Sequence, residues 1–304
     1  MTVGSGRVLV TGASGFLGSA LVGRLLASGA RVEAVSRSSR ADSPGVAWHA
    51  VDLEDAAATA RLVARLRPEI VFHLASRVTG ARGVENVLPL FRANAATTVH
   101  LLTALAETGG CRRAVLAGSM EEPSESSLPP SSPYAAAKAA ASLYARLFHA
   151  LYELPVVVAR IFMVYGPGQL DGSKLVPYAI RALLAGVAPR LASGRREIDW
   201  IHVDDVARGL AALAEAPGIE GRTLDLGSGE RHSVRRIVER LHAAIGGPRP
   251  EFGALSDRAL EVEPVADVET TARACGFRPR IGLAEGLEAT IAWVRAELAR
   301  ESAS

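Results

Sequence analysis

Tyr134 and Lys138 stand four residues apart in "SSPYAAAKAAASLY" (131–144), on what the surrounding alanines mark as a helix. Residues at that spacing share one helical face, with Cβ atoms about 5–6 Å apart. An ammonium beside a phenol favours the phenolate, so the pair is expected to bring the tyrosine pKa down from about 10 toward the working pH. The lysine is conspicuous, because Lys138 and Lys174 are the only lysines among the 34 Lys and Arg residues of the chain. A compact ammonium can bond a ribose and its surroundings together, which a broad planar guanidinium does poorly.

A second chemical feature is "VTGASGFLG" (10–18), with Gly12, Gly15 and Gly18 between a strand-like run and a helical one. Glycines there let the backbone turn tightly and approach a pyrophosphate, and the helix N-terminus offers free N–H groups to its charge. Asp52 in "AVDLED" closes a later strand-to-loop junction. It either holds an adenine amino group or serves as the N-cap of a helix over 55–66.

The elements that must position these groups alternate. Runs rich in Val, Ile and Leu at 7–12, 31–36, 69–75, 112–118 and 155–161 are separated by amphipathic stretches at 16–28, 55–66, 86–108 and 133–152. Apolar runs without polar alternation are expected of parallel strands covered on both faces by crossover helices. The fold class expected is α/β, a Rossmann-like doubly wound parallel sheet over residues 1–165. Residues 166–304 form a smaller C-terminal substrate-binding lobe over the carboxyl edge, with segments near 199–210 returning to the sheet. Strands are expected at 196–203 and 221–229, and helices near 174–186, 204–216, 233–244 and 284–300. The one biased segment, "EEPSESSLPPSSP" (121–133), is a loop, and there is no internal repeat.

Composition narrows the function classes. A formal charge of +2 and a pI of about 8.7, without a basic block, give no nucleic-acid signature. No apolar run approaches the roughly 18 residues of a membrane span, and the strand-like start at Arg7 carries no signal-peptide pattern, so a soluble cytoplasmic protein is expected. Cys111 and Cys275, far apart, suggest neither a disulfide framework nor a metal site, but two ordinary buried thiols.

Taken in order, these motifs identify a resemblance to the extended short-chain dehydrogenase/reductases that act as nucleotide-sugar epimerases, dehydratases and reductases. It rests on TGxxGFLG at 11–18, Asp52-Leu53, "VFHLAS" at 71–76, Asn94, Ser119, Tyr134/Lys138, "RIFMVYGPG" at 160–168, "DWIHVDDVARGL" at 199–210 and "DLGSGERHSV" at 225–234. The resemblance implies a catalytic trio of Ser119, Tyr134 and Lys138, in which Ser119 bonds the substrate oxygen. It implies dinucleotide contacts from Gly12, Ser14, Gly15, Phe16, Leu17, Gly18, Asp52, Leu53, Leu74, Ala75, Ser76 and Asn94, and again from Tyr134 and Lys138. Such a trio polarises a carbonyl and passes one proton while a nicotinamide passes one hydride.

Departures from the family narrow the reaction. Its 4,6-dehydratases carry Asp-Glu directly after the catalytic Ser/Thr, where this chain has Met120 and Glu121, and a thioether cannot donate the proton that elimination requires. Glu121 and Glu122 are alternatively a solvated turn. Met163 replaces the Asn of "RxxNVYGP". Met120 and Glu121, and in the second lobe Lys174, Val176, Arg195 and Arg196, are candidate contacts to the substrate, the three cations being alternatively surface charge; Ile198 occupies the family's commonest arginine position. Ser36 ends the second strand with Arg37 and Arg40 behind it and no carboxylate, an arrangement suited to the 2′-phosphate of NADP.

The function expected is therefore NADPH-dependent reduction of a keto group on a nucleoside-diphosphate sugar, a 4-keto-6-deoxyhexose. The alternatives are an epimerase with retained NAD and a non-catalytic dinucleotide sensor. Helices 86–108 and 134–152 are expected to build a homodimer as a four-helix bundle.

Overall fold

The computed structural model describes residues 6–123 and 128–303; the expected loop at 121–133 therefore includes four residues, 124–127, outside the described ones. In chain order the first half runs β1 (Val8–Thr11), α1 (Phe16–Ala27), β2 (Val32–Ser36), β3 (Val46–Ala50), α2 (Ala56–Leu66), β4 (Ile70–His73), α3 (Val87–Leu90), α4 (Thr97–Thr108), β5 (Arg113–Ser119), α5 (Pro133–Tyr152) and β6 (Val156–Ile161). The second half runs β7 (Met163–Tyr165), α6 (Leu175–Leu184), β8 (Arg190–Leu191), β9 (Glu197–His202), α7 (Val203–Glu215), β10 (Thr223–Leu226), β11 (Arg231–Ser233), α8 (Val234–Ile245), β12 (Glu251–Phe252), α9 (Val268–Cys275) and α10 (Leu283–Ala303).

Seven strands form one parallel sheet in the order β10-β6-β5-β4-β1-β2-β3, so the α/β Rossmann-like sheet is present and recruits its outer strand from the C-terminal half. Strand order reverses between β1 and β4, the place where such sheets open a crevice at their carboxyl ends. Successive β1 residues alternate between two cores. Val8 and Val10 join the apolar cluster that includes α1, α6, α7 and α8, whereas Leu9 joins the cluster with Leu62, Leu101, Leu105 and Phe148 of α2, α4 and α5. Covered on both faces, the strands have no polar side to show in sequence. Beside this sheet lie a three-stranded one, β11-β9-β7, and a two-stranded one, β12-β8.

Local signals explain the helix that carries the catalytic pair. Ser132 caps α5 by accepting from Ala135 N at 3.1 Å, with Pro133 in the first turn, and Glu153 ends it in the left-handed conformation at φ 54°. The helical stretch expected at 86–108 is interrupted by a π-helical segment, Phe91–Ala96, that contains Asn94. The N-cap role weighed for Asp52 falls instead to Asp55, whose side chain accepts from Ala58 N at 2.9 Å. Asp52 is exposed and caps the preceding turn through Glu54 N. Cys111 and Cys275 are free and only half-buried, a correction to the expectation of buried thiols. Among the described residues no helix is long and apolar enough to cross a membrane.

Candidate active site

The carboxyl ends of β1, β2, β4 and β5 converge on one crevice. Gly12 leaves β1 at φ 66°, and a Cβ there would stand 2.6 Å from Ala75 N and 2.7 Å from the Leu74 carbonyl carbon. A Cβ on Gly18 would stand 2.1 Å from Gly12 O, so the loop is shaped around two missing side chains. Gly15 caps α1 with extended backbone and no side-chain hydrogen bond, and the first N–H groups of α1 are left for a ligand. Ser14 and Gly15 are exposed, while Phe16 and Leu17 are half-buried. This cradle fits the pyrophosphate of a dinucleotide.

The floor beneath it is tied together by His73. Its Nδ1 bonds Thr11 Oγ1 at 2.8 Å and its Nε2 bonds Thr98 Oγ1 at 3.1 Å; Thr11 Oγ1 also accepts from Ala75 N. Burial, reinforced by Lys138, lowers the imidazole pKa to about 3, so it stays neutral. Asn94 is buried, and the π-helical turn aims its amide at the strand-to-loop crossing. Its Oδ1 accepts from Ser76 Oγ at 2.7 Å and from Arg77 N at 2.9 Å, and its Nδ2 donates to Arg77 O. Leu53 is buried, and its carbonyl accepts from His100.

At the end of β2, Ser36 is buried and donates to Ser38 O at 2.6 Å. Arg37 is exposed and has no hydrogen-bond or ion-pair partner among the described residues. Arg40 lies over the Trp48 ring at 5.3 Å. Glu33, in mid-strand, is engaged by His49 at 2.5 Å, and Asp52 directly follows Val51, whose N–H donates to Ser36 O at 3.0 Å.

Ser119, Tyr134 and Lys138 are all buried at the end of β5 and the start of α5. The Ser119 and Ser76 hydroxyls lie beside the Tyr134 phenol and favour its ionised form. Lys138 Nζ donates to Ala117 O at 2.8 Å. Burial lowers the lysine to about 8, with the Glu122 carboxylate holding it up. The expected lowering of Tyr134 does not occur. Burial dominates and pushes the phenol above its ordinary value, and the Glu121 and Glu122 carboxylates add to that, against the Ser119 and Ser76 hydroxyls.

The two glutamates are not a solvated turn. Glu121 N donates to Ser119 Oγ at 3.2 Å, and Glu121 Oε2 accepts from Ser132 Oγ at 3.4 Å. Glu122 Oε1 accepts from Ser119 N at 2.7 Å. Met120 is packed into the core.

The substrate-lobe candidates divide. Lys174, at the N-cap of α6, donates to Val78 O at 3.3 Å and lies 3.9 Å from Asp171. Val176 is buried in the core, which assigns its side chain to packing. Arg195 is 85% exposed and 3.9 Å from Asp257, a surface charge. Arg196 is engaged, with Nη1 on Glu261 at 3.1 Å and Nη2 on Val262 O. It lines a cleft with Glu121, Ser132, Arg82, Arg258 and Glu261. Arg82 and Arg258 carry no sequence signal because they sit in loops outside any periodic run or motif, and only the chain crossing brings Arg258 onto Gly80. Among the described residues no cluster of three or more His, Cys, Asp or Glu could hold a metal.

The chain matches the model of the NAD dependent epimerase/dehydratase family over residues 8–227. It is 34% identical to the UDP-glucose 4-epimerase of Mycolicibacterium smegmatis, over 95% of this chain and 98% of that one. It is 31% identical to the dTDP-glucose 4,6-dehydratase of an Actinoplanes species, with the same two coverages of 95% and 98%. Among solved structures, the UDP-glucose 4-epimerase of Thermus thermophilus in complex with NAD superposes with a TM-score of 0.82 at 29% identity, covering 95% of this chain and 99% of that one. With its glycine cradle, its buried Ser-Tyr-Lys group and a match along most of its length, the chain belongs to the NAD dependent epimerase/dehydratase family.

Proposed function

We propose that the protein catalyses the NADPH-dependent reduction of a keto group on a nucleoside-diphosphate sugar, a 4-keto-6-deoxyhexose. The observation that carries this reading is the end of β2, where a small buried hydroxyl at Ser36 and the Arg37 guanidinium, without a partner among the described residues, stand in place of a carboxylate. A carboxylate there accepts from a ribose 2′-OH and repels a 2′-phosphate; a free planar cation does the reverse. The cradle of Gly12, Gly15 and Gly18 would hold the pyrophosphate, and Lys138 the nicotinamide ribose. When bound, the dinucleotide supplies the hydride. Ser119 bonds the substrate oxygen, and Tyr134 gives it a proton as negative charge develops. Burial keeps the phenol protonated, the form in which it would begin a reduction. Met120 offers no proton beside Ser119, which disfavours elimination of water.

A second reading, an epimerase with retained NAD, is favoured by the names of the relatives, among them a UDP-glucose 4-epimerase at 34% identity. It would use Tyr134 first as base and then as acid on one carbon. The deciding experiment incubates the protein with a panel of nucleoside-diphosphate keto-sugars and follows the absorbance of added NADPH and NADH. Stoichiometric NADPH consumption is expected. Conversion of a nucleotide sugar with no net cofactor consumption, or NADH binding equal to or tighter than NADPH, would replace the first reading with the second.

The protein would act as a homodimer. Val84, Leu88 and Phe91, before, within and just after α3, with Leu143, Leu147 and Leu151 on α5, expose apolar side chains on two neighbouring helical stretches, and pairing with a second copy would cover them. Sedimentation as a monomer at micromolar concentration would reject this.

A further inference from the structure

Three features surround the catalytic lysine that the trio itself does not explain. First, a carboxylate is folded back beneath the end of β5: Glu122 Oε1 accepts from Ser119 N at 2.7 Å, and a Cβ on Gly118 would stand 2.8 Å from the same oxygen. The strand thus carries glycine where the carboxylate must pass. Second, α5 presents one face to it. Lys138 and Ser142, four residues apart, share that face, and both hold the Glu122 carboxyl down against its burial. Third, Arg160, paired with Gly118 across β5 and β6, acts on Glu122 from the sheet and is itself held in a two-point contact with Asp225 at 2.7 and 2.9 Å. Lys138, Glu122, Arg160 and Asp225 thus form a row of alternating charge running from the catalytic helix through the sheet to β10.

We infer that Glu122 is a positioning residue of this site: its carboxylate clamps the Ser119 backbone and, from that place, puts a negative charge in reach of the Lys138 ammonium, which is bonded two residues earlier on the same strand to Ala117 O. This assignment rests on the proposal that Ser119, Tyr134 and Lys138 act on a substrate carbonyl. A buried ammonium that loses a neighbouring negative charge gives up its proton more readily, because burial disfavours the charged form. The groups facing this pair are few. His73 on β4 stays neutral, Tyr134 stays protonated, Arg160 is committed to Asp225, and Glu121 acts on the phenol. None of them can replace a negative charge beside Lys138. Burial also raises Glu122 above the ordinary carboxylate range, against Ser142, the Ser119 backbone hydrogen bond and the two cations, so its charge depends on those partners.

The scarcity of lysine makes the test direct. In protein labelled with carbon-13 at lysine Cε, the Lys174→Arg background leaves Lys138 as the only signal, and its titration can be followed by NMR with no substrate present. Glu122→Gln keeps an acceptor for Ser119 N but removes the charge. The Lys138 midpoint, about 8 here, is expected to fall by about one pH unit or more. Glu122→Asp keeps the charge and should hold the midpoint within about half a unit while slowing turnover, since the shorter side chain draws back from Ser119. If Glu122→Gln does not fold, Ser142→Ala, which removes a hydroxyl that favours the charged form of the carboxyl, should move the midpoint in the same direction by a smaller step. A midpoint unmoved in the folded variant overturns the inference. A midpoint that moves as expected while no keto-sugar is reduced upholds Glu122 as the charge in reach of Lys138 and instead removes the proposed reaction.

Discussion

Gly12→Ala tests how the cofactor cradle is made. The added methyl meets two costs that can be separated. Backbone at φ 66° is strained for any residue with a Cβ, at about 1–2 kcal/mol. The methyl would also lie 2.6 Å from Ala75 N, 2.7 Å from the Leu74 carbonyl carbon and 2.8 Å from Ala75 Cα, all backbone atoms of the segment leaving β4. No flexible side chain can give way there, so the β1 and β4 exits must part, at a further cost of about 1–3 kcal/mol. The expected destabilisation is about 2–5 kcal/mol. Two controls divide it. Gly29 has φ 81° but no atom within 4 Å of its missing Cβ, so Gly29→Ala should show only the about 1–2 kcal/mol of backbone strain. Gly23, inside α1 with nothing within 4 Å, should gain about 0.5–1 kcal/mol as alanine. Urea unfolding of the three variants gives the ordering, and dinucleotide titration should find binding lost only in Gly12→Ala. A Gly12→Ala protein as stable as Gly29→Ala, with binding intact, would refute the close-approach account.

Replacing Tyr134 with Phe should cut keto-sugar turnover by about a hundredfold to ten-thousandfold while leaving cofactor binding measurable; turnover unchanged would remove Tyr134 as the acid. Arg37→Ala should weaken NADPH by roughly tenfold to a hundredfold and NADH little, the loss of one charged hydrogen bond, as read by fluorescence titration of each cofactor. His73 should make the fold acid-sensitive. Its folded pKa of about 3 lies below the ordinary 6.5, so as pH falls between those values the unfolded chain binds a proton that the native state refuses. Stability conferred by the neutral imidazole is complete above 6.5 and is lost progressively toward 3, and His73→Asn should flatten that part of a urea-midpoint profile.

The α/β order, the glycine cradle and the shared face of Tyr134 and Lys138 are legible in the amino-acid sequence because each depends on near neighbours: runs that bury both faces, a turn that needs φ above zero, and the four-residue repeat of a helix. The short strands β3, β7 and β11 and helix α9 are not, because segments of three to eight residues owe their form to the partner they pair with or pack on. The same holds for side-chain roles. Sequence alone offered Asp52 as a helix cap where the structure uses Asp55, and could not see that Arg196 is spent on Glu261 while Arg195 faces solvent. It could not place Arg82 beside Arg258, 176 positions further on in the chain. It placed a cation beside a phenol and expected the phenol to be acidified. Only the tertiary structure supplied the burial that reverses that shift and the Glu122 carboxyl that opposes the lowering of the lysine, because desolvation and long-range charge depend on everything packed around a group and not on its neighbours in sequence.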